Sequence, residues 1–139
     1  MTDSVAIKVN AASIAGATGK YRPEDNLSIT LTFQDGSVGN IIYTAKGPKS
    51  FSRERFEVFC EDSAAVIEDF RRALLVQGGR TRHLKKFSMD LGYTGELKFF
   101  LTADGAHPDH RQLFNSYVVS TRATLKAKES FLSGRIIEF

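Results

Sequence analysis

The stretch from Asp25 to Ala45 reads DNLSITLTFQDGSVGNIIYTA and decides the fold, because it alternates strictly, turns at Asp35-Gly36 and returns. This pattern is typical of a β-hairpin. The outgoing strand carries its apolar side chains on one face and its small polar ones on the other. The apolar face consists of Leu27, Ile29, Leu31 and Phe33, and the polar face of Ser28, Thr30 and Thr32. The apolar face of the resulting sheet is therefore expected to pack against another element of the protein.

Two turns are compatible with this hairpin. A two-residue turn at Asp35-Gly36 pairs Phe33 with Val38 and leaves both faces of the sheet partly apolar. A three-residue loop from Gln34 to Gly36, with Gly36 as a left-handed bulge residue, keeps one face apolar and the other rich in threonine. In that register Ile41, Tyr43 and Ala45 lie beside the apolar side chains of the outgoing strand. We favour the three-residue loop, and the threonine face then meets either water or another sheet.

Length and composition indicate one ordinary globular domain. The chain has 139 residues, of which 42% are hydrophobic and 25% charged, and a chain of this length folds without disulfides. The single Cys60 is interpreted as a small core residue and is compatible with a reducing compartment. The sequence contains no long apolar run and no signal peptide at its start, so a cytoplasmic protein is expected. A net charge of +3 gives no reason to expect a nucleic acid or a membrane as partner.

Further strands precede and follow the hairpin. Residues 5–10 alternate as a first strand, with Val5, Ile7 and Val9 on one face. Strands are also predicted at 55–60, 64–70, 73–77 and 81–87, joined by turns too short for parallel crossovers. The basic run at 80–86 follows Gly78-Gly79 and is interpreted as an exposed edge strand protected by its charges. An anionic partner for that run is the less favoured alternative.

After Phe87 the hydrophobic period changes from two to 3.6 residues. A first helix is expected to carry an apolar stripe of Tyr93, Leu97, Phe100 and Leu101. A second helix is expected from Asn115 or Ser116 to a stop at Gly134. Its sheet-facing side would consist of Val118, Leu125 and Leu132, joined by Ala123, Ala127 and Phe131. The tail would add a short strand or dock on the core.

These elements predict an α+β fold of two layers. A largely antiparallel open sheet of about six to eight strands would have two C-terminal helices packed on one face. No Rossmann domain is expected, because the sequence has neither G-x-G-x-x-G nor a Walker pattern. The open face, with its threonine, serine and asparagine side chains, is a plausible surface for packing against a second copy.

The sequence carries no recognisable catalytic motif. The only cluster with ligand-like spacing is Asp104, His107, Asp109 and His110, in a predicted link between the helices. A solvated loop is the favoured interpretation of this cluster, and a small hydrolase or lyase built on it is a weaker alternative. His83 lies in the basic strand and is interpreted as a surface residue. No metal site is expected.

Several segments, taken in order, resemble a known family. They are Asp25-Asn26, the turn FQDGS at 33–37, Lys49-Ser50-Phe51, ERFEVF at 54–59, YTGELKFF at 93–100, STRAT at 120–124, Glu129-Ser130 and Ser133-Gly134-Arg135. Over roughly residues 5 to 139 the chain resembles the C-terminal domain of the glucose-fructose oxidoreductase and inositol 2-dehydrogenase family of NAD(P)-dependent oxidoreductases.

The resemblance implies that this chain is one half of a larger enzyme. The family joins a nucleotide-binding Rossmann domain, which would be the partner of this chain, to a domain that shapes the substrate pocket and carries the oligomer interface on its open sheet. It implies NAD or NADP for the parent protein, a sugar-like or polyol substrate, and a homodimer or higher oligomer. The family's catalytic lysine and histidine have no matching positions here, so no catalytic or cofactor-binding residue is assigned and the isolated chain is expected to be inactive.

The loop after the hairpin is the best candidate for contact with a substrate. Lys49, Ser50 and Arg53 offer three hydrogen-bond donors suited to hydroxyl or carboxylate groups. A solvated loop without a function is the competing interpretation. Lys20-Tyr21-Arg22 form a second, weaker candidate. A free-standing binding module that uses the open sheet face is the alternative to the oxidoreductase fragment.

Overall fold

The computed structural model describes residues 4–13, 20–88, 91–102 and 108–139. They fall into two compact units: the first unit comprises residues 2–47 and 106–139, and the second unit comprises residues 48–105. The elements are β1 (Ala6–Ser13), a 3-10 turn (Pro23–Asp25), β2 (Asn26–Phe33), β3 (Val38–Thr44), β4 (Arg55–Cys60), β5 (Ser63–Glu68), β6 (Arg72–Gln77), β7 (Arg80–Lys85), α1 (Tyr93–Thr102), α2 (Pro108–Ser133) and β8 (Ile137–Glu138).

The hairpin of β2 and β3 adopts the three-residue loop. Ile29 pairs with Ile41 and Leu27 with Tyr43. The Phe33 N–H donates to the Ser37 carbonyl at 2.9 Å. Gly36 has a φ of +87°, a left-handed conformation that glycine adopts without steric cost. The predicted register is therefore confirmed.

Strand β1 lies in the middle of the first sheet, whose order is β3-β2-β1-β8. The register shifts between Ala6 and Lys8, which marks a β-bulge. The bulge brings Ala6 to the buried side with Val9 and Ala11, while Ile7 is 38% exposed. The prediction that Val5, Ile7 and Val9 lie on one face of the strand is therefore wrong, because the extra residue of the bulge reverses the alternation of side chains.

Helix α2 covers the apolar face of this sheet. Its Ala127 is buried together with Val9 and Ala11, and Ile29, Leu31, Phe131, Ile137 and Phe139 surround that cluster. The helix begins at Pro108 rather than near residue 115, and proline is well suited to the first position of a helix. It ends as predicted before Gly134, which has a φ of +66° and donates its N–H to the Ser130 carbonyl at 2.8 Å.

The prediction for the sheet-facing side of α2 was only partly right. Ala127 and Phe131 lie on the sheet, but the seven-residue repeat points away from it. The exposed fractions are 50% for Val118, 63% for Leu125 and 66% for Leu132. Small residues therefore make the close contact, and the large ones of the repeat do not.

A single hydroxyl joins α2 to both β1 and the tail. Ser130 is fully buried, and its Oγ accepts the Ala11 N–H at 2.9 Å and donates to the Arg135 carbonyl at 2.5 Å. Because β8 pairs Val9 with Ile137, the same register would place Ala11 opposite Arg135 two residues further on, as the next hydrogen-bonded pair. The Ser130 hydroxyl therefore takes the place of the next hydrogen bond of the ladder.

The second unit is an antiparallel meander in the order β4-β5-β6-β7. Its strand bounds match the predicted ones within about two residues. Strand β7 lies at the edge and is exposed throughout, as predicted for the basic run. Cys60 is also exposed, at the end of the opposite edge strand β4, so its assignment to the core was wrong.

The α+β class, the antiparallel pairing and the two C-terminal helices are confirmed. Two details differ from the prediction. The eight strands form two sheets of four, and α1 has no buried residue within the described chain, although its Leu97 and Phe100 were expected to pack on a sheet.

Candidate functional site

Lys49, Ser50 and Arg53 lie on the segment between β3 and β4, and all three are exposed. The segment turns at its start, where the Phe51 N–H donates to the Pro48 carbonyl at 3.0 Å. Among the residues that the structure describes, the side chains of these three make no hydrogen bond or ion pair. Their donors are therefore available to an external ligand.

A carboxylate on the next hairpin holds the end of this segment in place. Asp69 Oδ1 accepts the Arg53 N–H at 3.0 Å, and the Asp69 N–H donates to the Glu54 carbonyl at 2.8 Å. Asp69 and Phe70 both have left-handed backbones, with φ of 49° and 52°. The backbone hydrogen bond from Arg53 is the main cause that lowers the pKa of Asp69, with a further contribution from Ser52. The carboxylate is thus ionised at neutral pH and fixes the backbone beside Arg53.

Arg55, directly after this segment, is committed to structural ion pairs. Its guanidinium contacts Glu57 on the same strand and Glu68 on β5, the latter at 2.6 Å. Hydrogen bonding to Glu57 raises the pKa of Arg55. Arg55 therefore differs from Arg53, whose guanidinium has no such partner in the described chain, although the two are only two residues apart.

Asp69 was missed by the reasoning from sequence. Its place in a turn between two strands is visible in the sequence, since aspartate is common in turns. Its bond to a residue 16 positions earlier depends on the pairing of β4 with β5. No local sequence pattern reports that contact.

In the second candidate, Lys20-Tyr21-Arg22, the residues make contacts with their neighbours in sequence. The Lys20 ammonium lies 5.5 Å from the centre of the Tyr21 ring. The Arg22 N–H donates to Asp25 Oδ2 at 2.9 Å, which starts the 3-10 turn. These contacts shape the entry into β2 and use the Arg22 backbone, while its side chain is exposed.

The histidine and aspartate cluster lies mostly beyond what the structure describes. Asp104 and His107 are outside the described residues, and Asp109 and His110 belong to the first turn of α2 rather than to a link. Over the described ranges, no group of three or more histidine, cysteine, aspartate or glutamate side chains is arranged to hold a metal ion. His83 is exposed on β7, as predicted.

None of the helices in the described ranges has the length and apolar character needed to span a bilayer.

Three solved structures that share the fold of this chain are oxidoreductases. The chain matches a protein from Thermotoga maritima described as an oxidoreductase, with 13% identity, a TM-score of 0.69, and coverage of 98% of this chain and 41% of that one. It matches an aldose-aldose oxidoreductase from Caulobacter crescentus, solved with glycerol, with 16% identity, a TM-score of 0.67, and coverage of 98% and 42%. It also matches a UDP-N-acetylglucosamine 3-dehydrogenase from Acidithiobacillus ferrooxidans, with 21% identity, a TM-score of 0.59, and coverage of 76% and 33%.

The chain spans from a third to about two fifths of the length of these structures. No protein-family model and no curated protein matches it. The neighbours are of the glucose-fructose oxidoreductase and inositol 2-dehydrogenase type, so the resemblance seen in the sequence is confirmed at the level of the fold.

Proposed function

We propose that this chain is the substrate-binding and assembly domain of an NAD(P)-dependent oxidoreductase that acts on a sugar-like or polyol substrate. It would work together with a dinucleotide-binding domain of the same polypeptide, in the cytoplasm. The observation that carries the proposal is the match to oxidoreductases over 98% of this chain but about two fifths of theirs.

The absence of a dinucleotide motif from the sequence supports this division of labour. A glycine-rich turn between a strand and a helix is the usual cradle for a pyrophosphate, and the glycine pair of this chain, Gly78-Gly79, lies in a β-hairpin instead. The hydride carrier would therefore be held by the other domain. This chain would contribute hydrogen bonds to the substrate.

The segment with Lys49, Ser50 and Arg53 is the proposed place of those contacts. A guanidinium binds a carboxylate or a pair of hydroxyl groups through two parallel hydrogen bonds. The Asp69 bond to the Arg53 N–H fixes the backbone from which this side chain extends. Binding then costs less conformational entropy than it would on an untethered loop.

An uncovered face of the first sheet supports the proposed assembly into a dimer or higher oligomer. On the first sheet, Val38 and Ile42 are 60% and 80% exposed, beside the hydrogen bond between Thr30 and Asn40. Apolar patches of this kind are typical of surfaces that another domain or subunit covers.

The experiment compares the isolated chain with the longest polypeptide that its gene encodes. The longer polypeptide should reduce NAD or NADP with one member of a panel of aldoses and polyols. Substitution of Arg53 by methionine should raise KM about tenfold or more, as expected for a lost charge-assisted hydrogen bond. The matched control is Arg72→Met, which removes an exposed arginine on β6 of the same unit and should leave KM unchanged.

Titration of the isolated chain with NADH and NADPH, together with its mass by light scattering, completes the test. No dinucleotide binding and a dimer mass are the expected results. Dinucleotide binding by the isolated chain, or a longer polypeptide without hydride transfer, would contradict the proposal. A monomeric chain that binds sugars tightly by itself would favour the free-standing binding module.

A further inference from the structure

A shallow depression lies at one end of the second sheet, where β6 turns into β7. It has a volume of about 260 Å³ and is lined by Leu75, Gln77, Gly78, Arg80 and Arg82. It is distant in sequence from the segment proposed to contact substrate. Its lining combines two cations, one amide and one apolar side chain.

The pairing of β6 with β7 brings these side chains to the same face. Arg80 lies opposite Gln77, and Arg82 lies opposite Leu75. Side chains that are directly opposite in an antiparallel pair have Cβ atoms about 5 Å apart. The two-residue turn at Gly78 and Gly79, with φ of 55° and 71°, permits this register because glycine adopts left-handed conformations freely. The two guanidinium groups therefore project from alternate positions of one strand and flank the same depression.

Neither guanidinium is neutralised within the part of the chain that the structure describes. Arg80 and Arg82 make no ion pair and no side-chain hydrogen bond there, unlike Arg55, which contacts two carboxylates. The acidic residues at this end of the sheet, Glu61 and Asp62, lie on the turn between β4 and β5 and make no ion pair with either arginine. Two like charges held close together on a fixed strand repel each other, and an anion between them removes that repulsion.

We propose that this depression binds a small phosphorylated metabolite through its phosphoryl group. Two arginine forks match the oxygen atoms of a phosphate, and the Gln77 amide adds a further donor. Leu75, which is 37% exposed, offers an apolar surface to the organic part of the ligand. The volume lies below the range of about 300–1,000 Å³ typical of sites that enclose drug-sized ligands, so the depression itself accommodates a phosphoryl group and a small organic part. This site does not depend on the proposed oxidoreductase function.

The test is a titration of the 139-residue chain at constant ionic strength, followed by amide chemical shifts. The probes are inorganic phosphate and phenyl phosphate, with chloride as the reference anion. Saturable shifts centred on residues 77–82 are expected for both probes, with tighter binding of phenyl phosphate because its ring can contact Leu75. Equal affinities for the two probes would instead indicate a site for free phosphate and would overturn the assignment to a phosphorylated metabolite.

The variants Arg80→Gln and Arg82→Gln should each weaken binding about tenfold or more, because each removes a charge-assisted hydrogen bond. The matched control is Lys85→Gln, on the same strand and, by the alternation of a strand, on the opposite face. It removes the same charge and should leave the affinity unchanged. If Lys85→Gln weakens binding as much as the arginine variants do, the effect is diffuse electrostatics and no site exists. All three positions are exposed on an edge strand, so the variants should keep the fold, which the unchanged shifts of β4 and β5 would verify.

Discussion

Replacement of Ser130 by alanine tests how helix α2 is joined to the first sheet. Its hydroxyl is fully buried and bonds to the Ala11 N–H and to the Arg135 carbonyl. It replaces the ladder hydrogen bond that β8 does not extend far enough to provide. Alanine keeps the helix and removes the bridge, so the effect on stability isolates this one hydroxyl.

The expected loss follows from which group is left without a partner. Ala11 is only 5% exposed, so its N–H cannot turn to water, and a buried donor left unsatisfied costs about 1–3 kcal/mol. The Arg135 residue is exposed, so its carbonyl can accept a hydrogen bond from solvent. We therefore expect Ser130→Ala to lower the free energy of unfolding of the first unit by about 2 kcal/mol.

Urea denaturation followed by amide hydrogen exchange measures this loss in each unit separately. Exchange at Val9 reports the first unit, and exchange at Val66 reports the second unit, which should not change. The control is Ser133→Ala, on the last turn of the same helix, where the exposed hydroxyl donates to the Glu129 carbonyl at 2.8 Å and accepts the Arg135 N–H at 3.4 Å. A loss below about 0.5 kcal/mol, the range of ordinary surface substitutions, would refute the bridging role of Ser130. Equal losses in the two serine variants would refute it as well.

Two further predictions concern turns. The Arg53 N–H bond lowers the pKa of Asp69 below its ordinary value of 3.8, so the stabilisation by this carboxylate is present above that value and is lost as pH falls through the folded-state pKa. Asp69→Asn should therefore lower the free energy of unfolding at neutral pH and make that free energy fall less steeply as the pH is lowered. The control is Asp62→Asn, on another exposed turn, which should leave the steepness of this fall unchanged. In an acid titration followed by circular dichroism, equal steepness for Asp69→Asn and the unsubstituted chain would contradict the prediction. Gly36→Ala should destabilise the β2–β3 hairpin by about 1–2 kcal/mol because alanine strains a φ of +87°, while Gly47→Ala, which has open space around it, should be nearly neutral in urea denaturation.

The sequence predicts best where one local rule decides the geometry. The Asp35-Gly36 turn signal narrows the hairpin to two registers, and the favoured three-residue loop fixes every pair between β2 and β3. The Gly78-Gly79 pair likewise marks the turn between β6 and β7, whose bounds differ from the predicted ones by no more than two residues. Strand β4 was predicted with its observed bounds, because a turn signal follows it directly.

The sequence is a poor guide where a contact between residues far apart in the chain determines the local geometry. The bulge in β1 depends on its pairing with β2 and reverses the face of Ile7. The proposed site likewise combines a local feature that the sequence predicts with a long-range contact that it does not. The position of Arg53 in a loop is a local property, but the carboxylate of Asp69 that fixes its backbone comes from the next hairpin.

The orientation of helix α2 gives the strongest structural reason to regard this chain as one part of a larger assembly. At 3.6 residues per turn, Leu125 and Leu132 lie roughly 150° around the helix from Ala127, which meets the sheet. A helix cannot bury both stripes on one sheet, and the small residues allow the closer approach to Val9. The leucine stripe is therefore left outward, with Leu125 and Leu132 63% and 66% exposed. A helix that is apolar on two opposite sides is typical of an element between two layers, which agrees with a proposed parent protein more than twice as long as this chain.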